Sequence, residues 1–366
     1  MFDALFADPK LRTAWDTTRS RATQCRMRLW IDADDLHRIP WELLNNGTAA
    51  LAASAVTPFS RYLPTEHAWG HAVAARPIRV LAAISNPKDI EVQHNLLSLD
   101  EVVERAILKD AFSSLDAREI LLDFLDAPIT LEWIEKVLRE GYHSFHYVGH
   151  GMFNALKGQA ALYLQDKDGN THIVRDADLA YMLARQGVQP RLAVLAACQS
   201  AARAAAGTFL GLAPQLIAAG VPAVVAMQDK IATKTARRFS LAFYQDLIAH
   251  GTVDQAVNAA RSILLSAERP DAAVPVLFMR LKDGQLWRDA EESGVMPQAI
   301  AAHRAALREQ LAREARALGR DVGLYPGGGR ENLIRTLHAA QRLLVLREPG
   351  SGKTVALERL AVVPFF

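Results

Sequence analysis

The sequence has little of several features that would identify a protein class at once. Only two of its 366 residues are cysteine, Cys25 and Cys198, which is too few for a disulfide framework in a chain of this length. The longest apolar run, "LIAAGVPAVVAM", is far shorter than a membrane span. The N-terminal sequence lacks the basic region and long apolar run of a secretory signal peptide. We therefore expect a cytoplasmic protein with reduced thiols and no direct insertion into a membrane.

The chain also lacks an excess of charge of either sign. Its 42 basic and 40 acidic residues give a net charge of +2, and the basic residues are spread along the chain. This pattern does not favour a nucleic-acid partner. Half of the residues (50%) are hydrophobic, which is enough for the core of one large domain or of two smaller ones.

From about residue 78, buried-type strands alternate with amphipathic helices. The predicted strands include "IRVLAAIS", "FHYVGHG", "RLAVLAAC", "VPAVVAMQ" and "AVPVLFMRL". The alternation predicts an α/β fold, with a mostly parallel sheet covered by helices on both faces. The segment "REILLDFLDA" fits a strand or a helix, and residues 1 to about 26 have no clear period. The segment "ALYLQDKDGNTHIV" predicts a β-hairpin with Asp168 and Gly169 at its tip.

Two reactive residue types follow directly after two of these buried strands. His150 lies between two glycines in "HYVGHG", and Cys198 ends "LAVLAAC". In parallel sheets, functional groups lie at the carboxyl ends of the strands. A cysteine nucleophile needs a base and also donors for the oxyanion, for which the N–H groups of Gly151 and Cys198 are candidates. Taken alone, a cysteine or a histidine in such a place is more often an ordinary structural residue than a catalytic one.

The two motifs resemble the catalytic motifs of CHAT domains, which are caspase-like cysteine proteases related to separase. "IPWELL", "AAGVPAVVAM" and "FYQDLIAHGTVDQAVNAAR" resemble further elements of that family, so the resemblance covers about residues 27–282. It implies a caspase-like sheet, a catalytic pair formed by His150 and Cys198, and an oxyanion hole formed by Gly151 and Cys198. The spacing of the pair also resembles that of caspases, in which the histidine lies about 50 residues upstream of the cysteine.

The residues that would set specificity depart from those of related families. Caspases carry Gln-Ala-Cys where this chain has Ala-Ala-Cys, and metacaspases carry an acid where this chain has Ala197. Neither an aspartate pocket nor a basic preference is therefore supported at that position. Asp229, after "VPAVVAMQ", either lines the substrate pocket and favours a basic residue or simply ends the strand. The hairpin at Asp168 and Gly169 is either a flap over the substrate or a plain surface hairpin.

The segment "LLVLREPGSGKTVALERL" has the order of strand, glycine-rich turn and helix that a phosphate-binding loop requires. Arg347 stands where the full fingerprint has its first glycine, and the rest resembles the loop of NACHT-type signalling ATPases. The residues that this resemblance implies for nucleotide binding are Gly350, Ser351, Gly352, Lys353 and Thr354. The strands and second acidic motif that ATP hydrolysis needs do not follow before Phe366, so we expect a fragment of a longer protein.

We predict three parts: a CHAT protease domain at 1–288, a helical linker with a glycine-rich hinge at 289–335, and the start of a NACHT-like ATPase at 336–366. The linker helix could equally pack on the domain before it. The predicted function is a cysteine endopeptidase that needs no cofactor or metal for proteolysis, with ATP and Mg²⁺ serving only the full-length ATPase.

The family resemblance also implies partners. It suggests a protein substrate such as a gasdermin-like pore former of a bacterial cell-death or anti-phage system, and oligomerisation through the ATPase. Two alternatives remain open: a non-catalytic interaction scaffold, and a protease that is latent until the missing ATPase part oligomerises.

Overall fold

The computed structural model describes most of the chain up to residue 287 and one short strand beyond it. The described residues are 1–31, 36–37, 39–65, 72–73, 77–154, 157, 159–187, 189–196, 208–229, 231–281, 283–287 and 344–346. Their strands are β1 (Met27–Ile31), β2 (Phe59–Tyr62), β3 (Ile78–Ile84), β4 (Ile120–Phe124), β5 (Ser144–Val148), β6 (Gly151–Asn154), β7 (Gln159–Gln165), β8 (Thr171–Arg175), β9 (Leu192–Ala196), β10 (Ala223–Met227), β11 (Pro275–Met279) and β12 (Leu344–Leu346). Their α-helices are α1 (Phe2–Leu5), α2 (Pro9–Arg21), α3 (Ile90–His94), α4 (Glu101–Ser113), α5 (Leu131–Leu138), α6 (Asp176–Ala184), α7 (Thr208–Ala218), α8 (Thr233–His250) and α9 (Val253–Ser266), and the 3₁₀ turns are Trp41–Leu43 and Leu51–Ala53.

The main sheet contains nine of the described strands, in the order β12-β1-β2-β11-β10-β9-β5-β3-β4. Neighbouring strands pair in parallel, except that β10 and β11 pair antiparallel. The central strands β5, β9 and β10 are buried along their whole length, as expected for parallel strands covered on both faces. The predicted mostly parallel α/β sheet is confirmed, and the ambiguous segment "REILLDFLDA" contributes strand β4.

The side chains of β5 alternate between two different layers. On one face, His146 contacts Tyr244 of α8, and the Tyr244 ring packs against Phe112 of α4. On the other face, the hydroxyl oxygen of Tyr147 lies 3.2 Å from the carbonyl oxygen of Tyr163, which belongs to a smaller antiparallel sheet of β6, β7 and β8. Helix α7 packs against β6 and β7 on this second face. Helices therefore flank both faces of the sheet, as predicted.

The β7–β8 hairpin is the hairpin predicted from the sequence. Gly169 at its tip has φ of +84°, which is in the left-handed region that glycine tolerates best. The Asp166 carboxylate accepts a hydrogen bond from the N–H of Asp168 at 2.8 Å. The turn is therefore closed by the side-chain and glycine chemistry that the sequence shows.

The N-terminal residues, which show no clear period in sequence, form helices α1 and α2. The Asp8 carboxylate accepts a hydrogen bond from the N–H of Lys10 at 2.8 Å, and Pro9 is the first residue of α2. Both are signals of a helix start. Phe2 and Phe6 belong to the hydrophobic cluster that covers β1. Helix α2 is thus marked by a cap, and α1 is held by the packing of its phenylalanines rather than by a regular apolar stripe.

The strand predicted before the glycine-rich turn is present as β12, and it pairs in parallel with β1, with Leu344 opposite Leu29. The other residues of the predicted linker and ATPase fragment lie outside the described residues. The boundaries at 288 and 335 therefore remain predictions. Among the helices of the described ranges, none combines the length and the apolar character needed to cross a membrane.

Candidate active site

The carboxyl ends of β5, β9 and β10 lie side by side at one edge of the main sheet. Val148, the last residue of β5, pairs with Ala196, the last residue of β9, and β10 runs parallel to β9 and ends level with it. Three predicted site residues follow these strands by two positions each: His150, Cys198 and Asp229. His150 and Asp229 are thereby located at this edge, whereas Cys198 lies outside the described residues.

The main chain of His150 is fixed from the side of the smaller sheet. Its carbonyl oxygen accepts hydrogen bonds from the N–H of Tyr163 at 3.1 Å and from the hydroxyl of Tyr147 at 3.0 Å. Tyr147 is fully buried, so its hydroxyl has no water to replace this bond. His150 is therefore held at the strand end in one position.

The imidazole ring of His150 is oriented by a single main-chain carbonyl. Its Nε2 lies 2.8 Å from the carbonyl oxygen of Leu97. A carbonyl oxygen only accepts hydrogen bonds, so Nε2 carries the hydrogen, and Nδ1 of the neutral ring has a lone pair. Nδ1 is buried and has no hydrogen-bond partner among the described residues. The ring thus presents one oriented, unprotonated nitrogen, as a general base requires.

The environment of His150 also favours its neutral form. Burial lowers the pKa of His150, because loss of water disfavours the charged ring, and the hydrogen bond to the Leu97 carbonyl raises this pKa in part. The net shift is downward, so the ring is neutral at pH 7 in the absence of an anionic partner. A neutral ring can accept a proton, and the Leu97 carbonyl would then stabilise the resulting imidazolium.

The two glycines beside His150 have different roles. A Cβ atom on Gly149 would lie 2.2 Å from the hydroxyl oxygen of Tyr147, far inside van der Waals contact. Gly149 therefore makes room for the tyrosine that holds the His150 carbonyl. Gly151 is buried and begins β6, where it pairs with Leu162. Its role in an oxyanion hole remains a prediction.

Leu97 is the residue of this site that the sequence analysis misses. It contributes its main-chain carbonyl, while its side chain is 52% exposed. A contact through the main chain leaves no residue-type signal in the sequence. Leu97 lies beside His150 only because folding brings the loop after β3 close to the end of β5.

A second polar cluster lies beside the carboxyl end of β10. Glu42, from the "IPWELL" element, forms an ion pair with Arg61 of β2, and both side chains are fully buried. The Arg61 guanidinium donates to both oxygens of the Glu42 carboxylate, at 3.0 Å and 2.7 Å, and also to the amide oxygen of Gln228 at 3.3 Å. Gln228 directly precedes Asp229, which is exposed. The cluster therefore fixes the main chain next to the predicted pocket residue.

The predicted nucleotide-binding residues all lie outside the described ranges: Gly350, Ser351, Gly352, Lys353 and Thr354. Cys25 is buried just before β1. Within the described residues, no group of three or more His, Cys, Asp and Glu side chains is placed to hold a metal ion.

Comparison with known proteins gives one family match and several structural similarities. The chain matches the CHAT domain family over residues 1–310. None of the curated proteins compared matches it. Saccharomyces cerevisiae separase, in its complex with securin, is 15% identical with a TM-score of 0.41, and the match covers 74% of this chain and 16% of the separase chain. This chain thus spans only about a sixth of the separase length.

Two other solved structures are similar at comparable levels. The Arg specific cysteine proteinase gingipain R is 11% identical with a TM-score of 0.49, and the match covers 79% of this chain and 69% of gingipain. The Drosophila initiator caspase Dronc is 13% identical with a TM-score of 0.29, with 54% of this chain and 78% of Dronc covered. All of these TM-scores lie below 0.5.

Proposed function

The chain belongs to the CHAT domain family, and on that premise we propose that it is a cysteine endopeptidase in which His150 and Cys198 form the catalytic pair. The observation that carries the proposal is the state of the His150 ring. Its Nε2 is bonded to the Leu97 carbonyl, and its buried Nδ1 has no partner among the described residues. Burial of a nitrogen without a hydrogen-bond partner costs free energy, and a catalytic role explains why this one is kept.

The strand register supports Cys198 as the partner of that nitrogen. Val148 and Ala196 are paired neighbours, and His150 and Cys198 come two residues after them. Adjacent parallel strands lie about 4.8 Å apart. Two residues that each come two positions after such a pair can therefore lie close enough for a proton to pass between their side chains.

In the proposed mechanism, His150 Nδ1 takes the proton from Cys198 Sγ. The thiolate attacks the carbonyl carbon of the scissile peptide bond, and the N–H groups of Gly151 and Cys198 bind the oxyanion. His150 then gives the proton to the leaving amine, and the C–N bond breaks to leave a thioester. Water hydrolyses the thioester and regenerates the thiol.

We propose Asp229 as a residue of the substrate pocket that favours a basic side chain before the cut. Asp229 is exposed at the same sheet edge, two residues after β10, which flanks β9 on the side opposite β5. The Glu42–Arg61–Gln228 cluster keeps its main chain in place. Asp229→Asn should weaken cleavage after Lys or Arg without a general loss of activity. An unchanged preference would mean that Asp229 does not line the pocket and has only a structural role after β10.

The wider setting of the protease is proposed from the sequence motifs alone. The "EPGSGKT" segment supports a NACHT-type signalling ATPase that would bind ATP and Mg²⁺, sense a trigger and oligomerise. A gasdermin-like pore former is the proposed substrate. Co-expression of a chain that carries a complete ATPase part with such a substrate, followed by detection of the cut fragment, tests the proposed substrate.

The test of the protease itself is cleavage of a diverse peptide library, with the products identified by mass spectrometry. The chain, its Cys198→Ala variant and a Cys25→Ala control are compared. Cuts made by the chain and by Cys25→Ala but absent with Cys198→Ala establish the enzyme and its preferred residue. If no variant cuts, labelling of Cys198 by an electrophilic peptide probe separates a working site from a scaffold, and cleavage that depends on a complete ATPase part identifies a latent protease.

A further inference from the structure

The loop that supplies the Leu97 carbonyl is bonded to the Asn86 side chain, just after β3, and to the Glu91 carboxylate, which accepts from the Ser98 N–H at 3.0 Å. The Asn86 side chain makes two hydrogen bonds to the main chain of Leu99: its amide donates to the Leu99 carbonyl at 2.9 Å, and its oxygen accepts from the Leu99 N–H at 3.0 Å. Leu99 lies two residues after Leu97. We propose that Asn86 is a positioning residue of the catalytic base, because it fixes the carbonyl that orients His150. This inference rests on the proposed proteolytic function.

The opposite end of the same loop is bound to the tip of the β7–β8 hairpin. The Asp89 carboxylate accepts hydrogen bonds from the Thr171 N–H at 2.7 Å and from the Thr171 hydroxyl at 2.6 Å. The Lys88 N–H donates to the Gly169 carbonyl at 3.0 Å, and a Cβ atom on Gly169 would lie 2.9 Å from the Lys88 side chain. The hairpin tip is therefore joined to the loop that contains Leu97, and it braces this loop.

Tyr163 of β7 connects this brace to His150 directly. The His94 ring packs edge-on against the Tyr163 ring at 5.0 Å, and Tyr163 forms a small apolar cluster with Ile90 and Leu96. The N–H of Tyr163 donates to the carbonyl of His150. The ring and the main chain of His150 are thus both held by one continuous set of contacts.

The chemical consequence concerns the tautomer of His150. The base can take a proton from Cys198 only if Nδ1 is free, and Nδ1 is free in the neutral ring only while Nε2 keeps its hydrogen. The Leu97 carbonyl selects that tautomer. If the Asn86 contacts are lost, we expect Leu97 to move and the Nδ1–H tautomer, which cannot act as the base, to become populated.

The kinetic arm of the test compares Asn86→Ala with a matched control, Asn46→Ala. The Asn46 side chain also accepts main-chain hydrogen bonds in a turn, from Thr48 at 3.1 Å and from Ala49 at 2.9 Å, but it lies in the segment between β1 and β2. Asn86→Ala should lower kcat by about 10- to 100-fold with little change in KM, because small misplacements of a catalytic group have effects of this size. A kcat no lower than that of Asn46→Ala would overturn the proposal.

The spectroscopic arm does not depend on proteolysis. In a Cys198→Ala background, the ¹⁵N shifts of the His150 ring should report Nε2–H in the otherwise unchanged chain and a mixture of tautomers with Asn86→Ala. Identical shifts would overturn the positioning role even if the chain is a protease. If the chain cuts no peptide and Cys198 does not react with the electrophilic probe, the proposed function fails, and the shifts still decide the role of Asn86.

Folding of the variants is checked by their melting temperatures. If Asn86→Ala does not fold, Asn86→Asp takes its place in both arms. It keeps the acceptor for the Leu99 N–H and loses the donor to the Leu99 carbonyl, so we expect a smaller loss of kcat in the same direction.

Discussion

The middle and the carboxyl end of β5 each have a buried histidine, and the two histidines differ in almost every other respect. His146 is within the strand, and its Nδ1 lies 2.7 Å from the hydroxyl oxygen of Tyr244. Burial lowers the pKa of His146 to about 3, so it remains neutral under ordinary conditions. His150 follows the strand end, and its Nδ1 has no partner among the described residues. A buried histidine therefore indicates a catalytic role when one ring nitrogen is held by a hydrogen bond and the other has no hydrogen-bond partner among the described residues.

The largest expected effect separates the two histidines by activity. His150→Ala should lower kcat/KM by about 10⁴-fold, as loss of a member of a catalytic constellation does. His146→Ala should leave kcat/KM nearly unchanged below its melting temperature, because His146 does not reach the sheet edge. Both are measured with the best peptide from the library. Equal losses in the two variants would remove the distinction between the histidines.

The second prediction separates His146 from His150 by the free energy of unfolding. His146→Ala should lower the free energy of unfolding by about 3 kcal/mol, because the Tyr244 hydroxyl is left buried without its partner and a cavity forms. The measurement is denaturant unfolding at pH 7, with Tyr244→Phe as the reciprocal variant. If the contact is real, the double variant should lose less than the sum of the single losses.

The third prediction concerns the glycine beside the reactive histidine. Gly149→Ala should cost about 2 kcal/mol through overpacking against Tyr147, and it should lower kcat because Tyr147 holds the His150 carbonyl. Gly187→Ala is the control, since a Cβ atom there meets nothing within 4 Å. Similar melting temperatures and rates for the two variants would contradict the steric role of Gly149.

The fourth prediction is a pH dependence of stability carried by His146. Its pKa is about 3 in the folded chain and near 6.5 in the unfolded chain, so the unfolded state binds more protons between these values. Stability should therefore fall as the pH drops from about 6.5 towards 3. His146→Gln, which cannot titrate, should show a shallower fall in unfolding free energy over that window. Parallel curves for the two chains would show that other groups cause the acid sensitivity.

Much of the fold follows from local patterns in the sequence. The apolar runs of β5, β9 and β10 are long enough to be recognised as buried strands, and Asp168-Gly169 predicts its hairpin. The antiparallel pairing of β10 with β11 was not predicted, because pairing direction depends on chain connections rather than on residue type. Helices α1 and α2 show no regular stripe, and Asp8 and Pro9 were the signals that could have located α2.

The residues of the candidate site also divide into those that the sequence indicates and those that only the structure shows. His150 stands out in the sequence because a lone histidine between glycines after a buried run is unusual, and Asp229 was singled out by its position after a strand. Leu97 and Asn86 were not singled out. Leu97 acts through its main-chain carbonyl, which places no constraint on its side chain, and the Asn86 side chain bonds to the main chain of Leu99, which can be any residue type.

By itself, the sequence determined the α/β class, the central strands and the residue types at the strand ends, because hydrophobic periodicity and turn chemistry are local. Only the tertiary structure decided which nitrogen of His150 is available, what orients the ring, and that the hairpin tip braces the Leu97 loop. These features depend on atoms more than 50 residues apart in the chain meeting at hydrogen-bond distance, as His150 and Leu97 do. Such contacts exist only after the sheet has closed and excluded water from them.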